Sequence, residues 1–307
     1  YFEHDDDDGD FVVLDGVGRD GSRGLRGLWQ AGEVGAGSLK LSFGRNPNRY
    51  MQKGIRPDED FRDVYYRMRV MHQPGWQGNP AKLSRATIFP DASTWSQAMI
   101  AHLWGGRGDV LLVDPVRCVG PDDRVKCTTY NDFANMDWIG NQNGRTPVFA
   151  TANGGTWFCV EAHVRLNDPG QANGVHEFWV DGRLEARREG LDFVRGWREY
   201  GINAIFFENY WNDGSPKAQW RVFDDIVVAT RPIGCGEGGM AITPTWTAEP
   251  PASATPAATS APRASATPTG APTEAPHATA TSRPPSTEAA TAAPEAAAVV
   301  YLGVAWR

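Results

Sequence analysis

Residues 177–186 read "EFWVDGRLEA", and they decide the fold class. Asp181-Gly182 stands between two runs in which apolar and polar residues alternate. A two-residue type I′ turn needs positive φ at both central positions, which Asp-Gly supplies at little steric cost. The stretch is therefore an antiparallel β-hairpin, and its period of two is the one to look for on either side.

Upstream, "WFCVEAHVRL" (157–166) alternates in the same way. Phe158, Val160, Ala162, Val164 and Leu166 share one face, and Cys159, Glu161, His163 and Arg165 the other. "DVYYRMRVM" (63–71) separates Val64, Tyr66, Met68 and Val70 from Tyr65, Arg67 and Arg69. "NAIFFENYW" (203–211) and "WRVFDDIVVAT" (220–230) help to bring the set to at least eight strands, separated by Gly, Asn, Asp and Pro. Hardly any helical period appears. The expectation is an all-β, two-sheet antiparallel β-sandwich. No internal repeat points to a solenoid or propeller.

Composition divides the 307 residues unevenly. Residues 1–9 are an acidic leader whose like charges keep it solvated. Residues 10–242 carry the sandwich. From Thr243 to Ala298, 56 positions hold 11 of the 22 prolines, 12 Thr, 5 Ser and one aromatic, Trp246. Such a stretch buries too little apolar surface to offset its ordering entropy, so it reads as a disordered, O-glycosylated stalk. Fully extended, at ~3.1 Å per residue, it would reach roughly 170 Å. Residues 299–307 close the chain with a strand-like apolar segment in which Val300, Leu302, Val304 and Trp306 share one side. Its expected role is to dock on a sheet edge, its own or a neighbour's; a sorting remnant is the alternative.

The net charge of −7 argues against nucleic acid as a partner. No apolar run is long enough to span a membrane. Four cysteines allow three pairings. Cys118 and Cys127 flank a polar loop that a local disulfide would close. Cys159 lies in a strand and Cys235 just beyond the last one, a plausible staple; four buried thiols are the alternative. Beside a Thr/Pro stalk, disulfides and an extracellular or cell-surface location are expected.

Two loop regions gather the groups that recognise sugars, namely aromatic planes beside amides. "YNDFANMDWIGNQNG" (130–144) offers Tyr130, Asn131 and Trp138, and "ENYWNDGSPKAQW" (208–220) offers Asn209, Tyr210 and Trp211. The first is a long irregular loop of the kind that is more often functional than idle, and the second also reads as a Trp-anchored loop packed on the core. His102 alternates with Ile100 and Trp104, so it either holds a backbone carbonyl at the core edge or faces a ligand. Asp225, beside Asp224, has the hard oxygens of a structural Ca2+ site, or caps a strand. No other cofactor is called for.

Taken together, "FRDVYYRMRV", "KLSRATIF", "WSQAMIAHLW", "VEAHVRLNDPGQANGVHEFWVDGRLEA" and "FDDIVVATRPIG" resemble the concanavalin A-like jelly rolls. They look most like the branch with the alginate and glucuronan lyases and related secreted proteins. The resemblance spans roughly residues 10–235 and rests chiefly on scaffold motifs. It implies a polysaccharide partner on the face of one sheet, and it places Lys82, Arg85 and His102 on substrate-facing strands. A lyase must neutralise a uronate carboxylate, abstract a proton and protonate the leaving oxygen. This chain departs from those lyases at "DVLLVDP" (109–115), where their strand carries tyrosines. His163, His176 and Tyr210 are the candidate substitutes.

The leading expectation is a secreted or cell-surface polysaccharide-binding module on a glycosylated stalk. A polysaccharide lyase, with Lys82, Arg85 and His102 catalytic, is the second. A structural subunit assembled through its C-terminal strand is the third.

Overall fold

The computed structural model describes residues 2–51 and 54–236. The stalk and the proposed docking residues Val300, Leu302, Val304 and Trp306 lie outside the described residues. Two antiparallel sheets are numbered below in chain order. The eight-stranded sheet runs β1 (Phe2–Asp5), β4 (Gly35–Ser42), β14 (Ala204–Tyr210), β6 (Lys82–Ile88), β7 (Met99–Gly105), β8 (Leu111–Arg117) and β10 (Gln142–Asn143). Its eighth strand, β9 (Asp137–Trp138), also pairs with β8. The seven-stranded sheet runs β13 (Arg183–Leu191), β12 (Gly174–Val180), β11 (Trp157–Arg165), β5 (Asp63–His72), β15 (Gln219–Ala229), β3 (Gly24–Trp29) and β2 (Phe11–Leu14). No described helix is long and apolar enough to cross a membrane.

The turn between β12 and β13 is the one the sequence dictates, with Asp181 at φ 50° and Gly182 at φ 77°. The inward alternation holds as well. Val64, Tyr66, Met68 and Val70 of β5, with Val160, Ala162 and Val164 of β11, are at most 1% exposed. They share one core with Leu39, Leu83, Leu103, Val113, Ile205 and Phe207 of the opposite sheet. Each Val, Leu, Ile, Met or Phe among them contributes ~1.5–3 kcal/mol of burial, so the alternation is enforced rather than merely permitted.

The acidic run Asp5–Asp8 is exposed, but the leader is also a strand: Phe2–Asp5 pairs with β4, from Phe2 opposite Leu41 to Asp5 opposite Ser38. The free edge of β4 offers backbone partners, Glu3 reaches Lys40 at 2.7 Å, and the Asp7 carboxylate accepts the Gly37 N–H. These contacts offset the like-charge repulsion.

Both disulfides form, Cys118–Cys127 and Cys159–Cys235, and no described cysteine is free. The second holds the chain leaving β15 against β11. Glu161 fastens the same segment, accepting the N–H groups of Ile233 and Gly234 at 2.8 and 2.7 Å.

Candidate functional site

The outer face of the eight-stranded sheet carries a cross-strand row of side chains. Phe206 of β14 stands opposite Arg85 of β6, Arg85 opposite His102 of β7, and His102 opposite Asp114 of β8. The next row along the strands holds Tyr210, Lys82 and Trp104. The segment after Cys127 folds across these rows and is pinned there by β9.

Arg85 is the centre. It is fully buried and meets Glu208 through two parallel bonds, Nε to Oε2 at 2.8 Å and Nη2 to Oε1 at 2.5 Å. Its Nη1 donates to Asn131 Oδ1 at 2.7 Å, and Nη2 also donates to the Tyr130 hydroxyl. That hydroxyl in turn donates to Glu208. Burial alone would raise the Glu208 carboxyl, but Arg85 and Lys82 bring it down to about 2. The pair stays ionised and compensated. Tyr130 thus buries its hydroxyl while leaving its ring partly exposed. Asn131, at φ 49°, takes the left-handed conformation that asparagine tolerates, and its N–H donates to the buried Gln97.

His102 is 4% exposed, and its Nδ1 lies 3.1 Å from the Asp114 carbonyl oxygen. A carbonyl only accepts, so Nδ1 carries the proton. Burial, then Arg85, hold the ring well below the usual histidine range, which leaves Nε2 with a lone pair. Trp104 stacks on His102 at 4.2 Å and 8°, and Trp138 lies parallel to both rings at 5.9 and 5.8 Å. Trp138 stays 38% exposed and Phe133, parallel to it, 56%. The position of Trp138 is fixed by its neighbour Asp137, which bonds Arg117 and Lys126. Burial pushes the Asp114 carboxyl up to about 7, against a bond from Trp104.

Lys82 is half-buried with Nζ 4.3 Å over the Tyr210 ring, and it forms no ion pair among the described residues. Burial brings its ammonium down to about 8, against the attraction of Glu208. Among the described residues no carboxylate forms a salt bridge with Lys82, although Glu208 attracts it.

The structure therefore brings Lys82, Arg85, His102, Tyr130, Asn131, Trp138 and Tyr210 together on one face. It removes others. Asn209 turns into the core, donating to the Ala36 carbonyl, and Trp211 is 7% exposed in an aromatic cluster with Trp29 and Trp76. Neither can meet a ligand there, because alternation along β14 sends residue 209 inward and residue 210 outward. His176 lies in the core, and His163 lies on the outer face of the other sheet, bonded to Asp63 and Glu177. Of the substitute proton carriers only Tyr210 remains on this face. Asp225 is engaged by Arg69 at 2.9 Å, and among the described residues no three His, Cys, Asp or Glu side chains gather as metal ligands. Glu208, Trp104 and Phe133 are members that sequence reading did not single out.

No protein-family model matches the chain, and no curated protein does. Solved structures do match. Alginate lyase vAL-1 from a Chlorella virus superposes with a TM-score of 0.50 at 12% identity, over 71% of this chain and 88% of that one. The domain is a concanavalin A-like jelly roll. The marine PL-14 alginate lyase of Aplysia kurodai gives a TM-score of 0.49 at 14% identity, over 74% of this chain and 89% of its own. Endo-β-1,4-glucuronan lyase from the fungus Trichoderma reesei gives 0.46 at 12%, over 74% and 94%. At such identities the likeness is one of fold. What this jelly roll does has to be judged on its own side chains.

Proposed function

We propose that the outer face of the eight-stranded sheet binds a polysaccharide, as a module of an extracellular or cell-surface protein. The observation that carries this reading is the placement of Trp138, Phe133 and Tyr130 as partly exposed ring surfaces beside an uncommitted Lys82. Sugar rings stack on such planes, and a cation among them suits a carboxylated sugar. The two disulfides support an oxidising compartment, and the Thr/Pro composition of residues 243–298 supports a glycosylated stalk. The test is retention on an array of neutral and acidic glycans, followed by titration with the best polymer. Trp138→Ala should weaken that binding about tenfold, as loss of a stacking ring does. Absence of any retained glycan, or full affinity in the variant, would sink the reading.

A second reading, β-elimination of an acidic polymer, is favoured by one specific feature. His102 presents Nε2 as a lone pair on the face that holds Lys82. Arg85 is spent on Glu208, so Lys82 would neutralise the uronate carboxylate. His102 or Tyr210 would then take the proton, and the glycosidic bond would break with the leaving oxygen protonated from Tyr210 or water. Incubation with alginate or glucuronan should produce unsaturated, ultraviolet-absorbing ends, lost in His102→Ala. Binding without such ends leaves the first reading alone.

A further inference from the structure

Arg221 belongs to β15 of the seven-stranded sheet, yet its side chain crosses the core to the other sheet. It is fully buried and forms no ion pair among the described residues. Its Nε donates to Asn209 Oδ1 at 2.6 Å, and Nη2 donates to the carbonyls of Lys82, at 3.0 Å, and Glu208. The guanidinium also lies over the rings of Trp29 and Phe223, at 5.1 and 4.9 Å. Burying a cation with no anion against it is costly, and burial brings this group down to about 9. A core that retains it gains something in exchange.

The carbonyls it collects lie where strand pairing slips. Between β6 and β7, Lys82 opposes Trp104 and Ser84 opposes Leu103, so β6 carries one extra residue. Between β14 and its two neighbours the register shifts on approaching Tyr210. At a bulge a backbone group loses its ladder partner and needs another.

The slip in β6 also decides which way Lys82 faces. Counting back from Arg85, strict alternation would turn Leu83 outward and Lys82 inward. Instead Leu83 is 1% exposed in the core, and Lys82 lies over Tyr210 on the outer face. The bulge makes that exchange, and Arg221 binds its carbonyl from behind.

We infer that Arg221 is a positioning residue for the glycan face, holding the β6 bulge and the end of β14 so that Lys82 and Tyr210 meet on the outer side. The word glycan rests on the function proposed above; the positioning does not.

Lys82 and Tyr210 supply a direct readout. A lysine side chain 4.3 Å from an aromatic ring has ring-shifted ε-methylene signals in a nuclear magnetic resonance spectrum. In Arg221→Met these signals should move to the positions of an ordinary solvated lysine. In Arg221→Lys, which keeps the charge on a single donor nitrogen, they should move part of the way. Amide exchange at residues 82–84 and 208–210 should quicken at least about tenfold, while β5 and β11 stay protected as in the native protein. If Arg221→Met does not fold, Asn209→Ala keeps the guanidinium but removes its Nε acceptor, and the same signals should shift partially. Unchanged Lys82 signals in whichever of these variants folds would overturn the inference. Glycan affinity is measured separately. Shifted signals in a protein that retains no glycan would leave Arg221 as the holder of the bulge and remove the binding reading alone.

Discussion

The two outer faces of this sandwich handle their ionisable groups differently. On the seven-stranded sheet one group of buried charges is closed, although the Nε atoms of Arg26 and Arg188 find no partner among the described residues. His163 bonds Glu177 at 2.7 Å and Asp63 at 2.8 Å and lies flat on Tyr65 at 4.0 Å. Glu177 also takes Arg187, Glu161 takes two backbone N–H groups, and Arg69 takes Asp225 and the Cys235 carbonyl. On the eight-stranded sheet the Arg85–Glu208 pair is equally closed, but Lys82, Tyr210 and the ring of Trp138 remain uncommitted. A histidine between carboxylates is thus no site by itself. Groups left with unspent capacity beside exposed rings mark one more closely, and the second face brings Lys82, Tyr210 and Trp138 together in that way.

Breaking closed contacts should cost stability. The largest loss is expected from replacing Cys159 and Cys235 by Ala, because their bridge spans 76 residues. The chain-entropy model gives about 4 kcal/mol, read from the urea midpoint. Glu208→Gln should follow, at about 3 kcal/mol, since it strips the buried Arg85 of its anion but leaves Asn131 and Tyr130 as acceptors. A loss near zero would mean that Arg85 is reached by water.

A smaller effect separates the two faces by pH. Burial lowers the His163 pKa, but Asp63 and Glu177 raise it further, so the folded value lies above 6.5. A raised pKa gives stability that is complete below the unfolded value and is lost as pH rises through the folded one. Denaturant melts should therefore weaken from pH 6.5 upward, and His163→Gln should flatten that slope. On the other face, affinity for an acidic glycan should fall as pH passes about 8, where Lys82 loses its proton. Lys82→Gln should remove the dependence with little change in stability.

Much of this fold was legible as a period of two. Asp181-Gly182, the alternation in β5 and β11 and the Cys118–Cys127 pair were readable because each depends on residues near in sequence or on strand parity. Cys159–Cys235, 76 residues apart, was readable only as a plausible staple between a strand and the segment just beyond the last one. The candidate face was half legible. Lys82, Arg85 and His102 stood out by the segments that hold them, and Tyr130, Asn131 and Trp138 by their chemistry. Glu208 did not, because a single carboxylate in "FFENY" shows no partner when that partner lies 123 residues away. Asn209 and Trp211 were grouped with Tyr210 by their chemistry, although the alternation of β14 turns residue 209 inward and residue 210 outward. The strand in the leader was missed for a related reason: charge is visible in a sequence, whereas the open edge of β4 is not.

The most direct test of the account is hydrogen exchange with and without a saturating polysaccharide chosen from the array. Protection confined to residues 82–85, 102–104, 128–143 and 208–210 is the predicted result, with β11 to β13 unaffected. Protection centred on His163, Glu177 and Arg187 would contradict it, placing the ligand on the face whose charges are already paired.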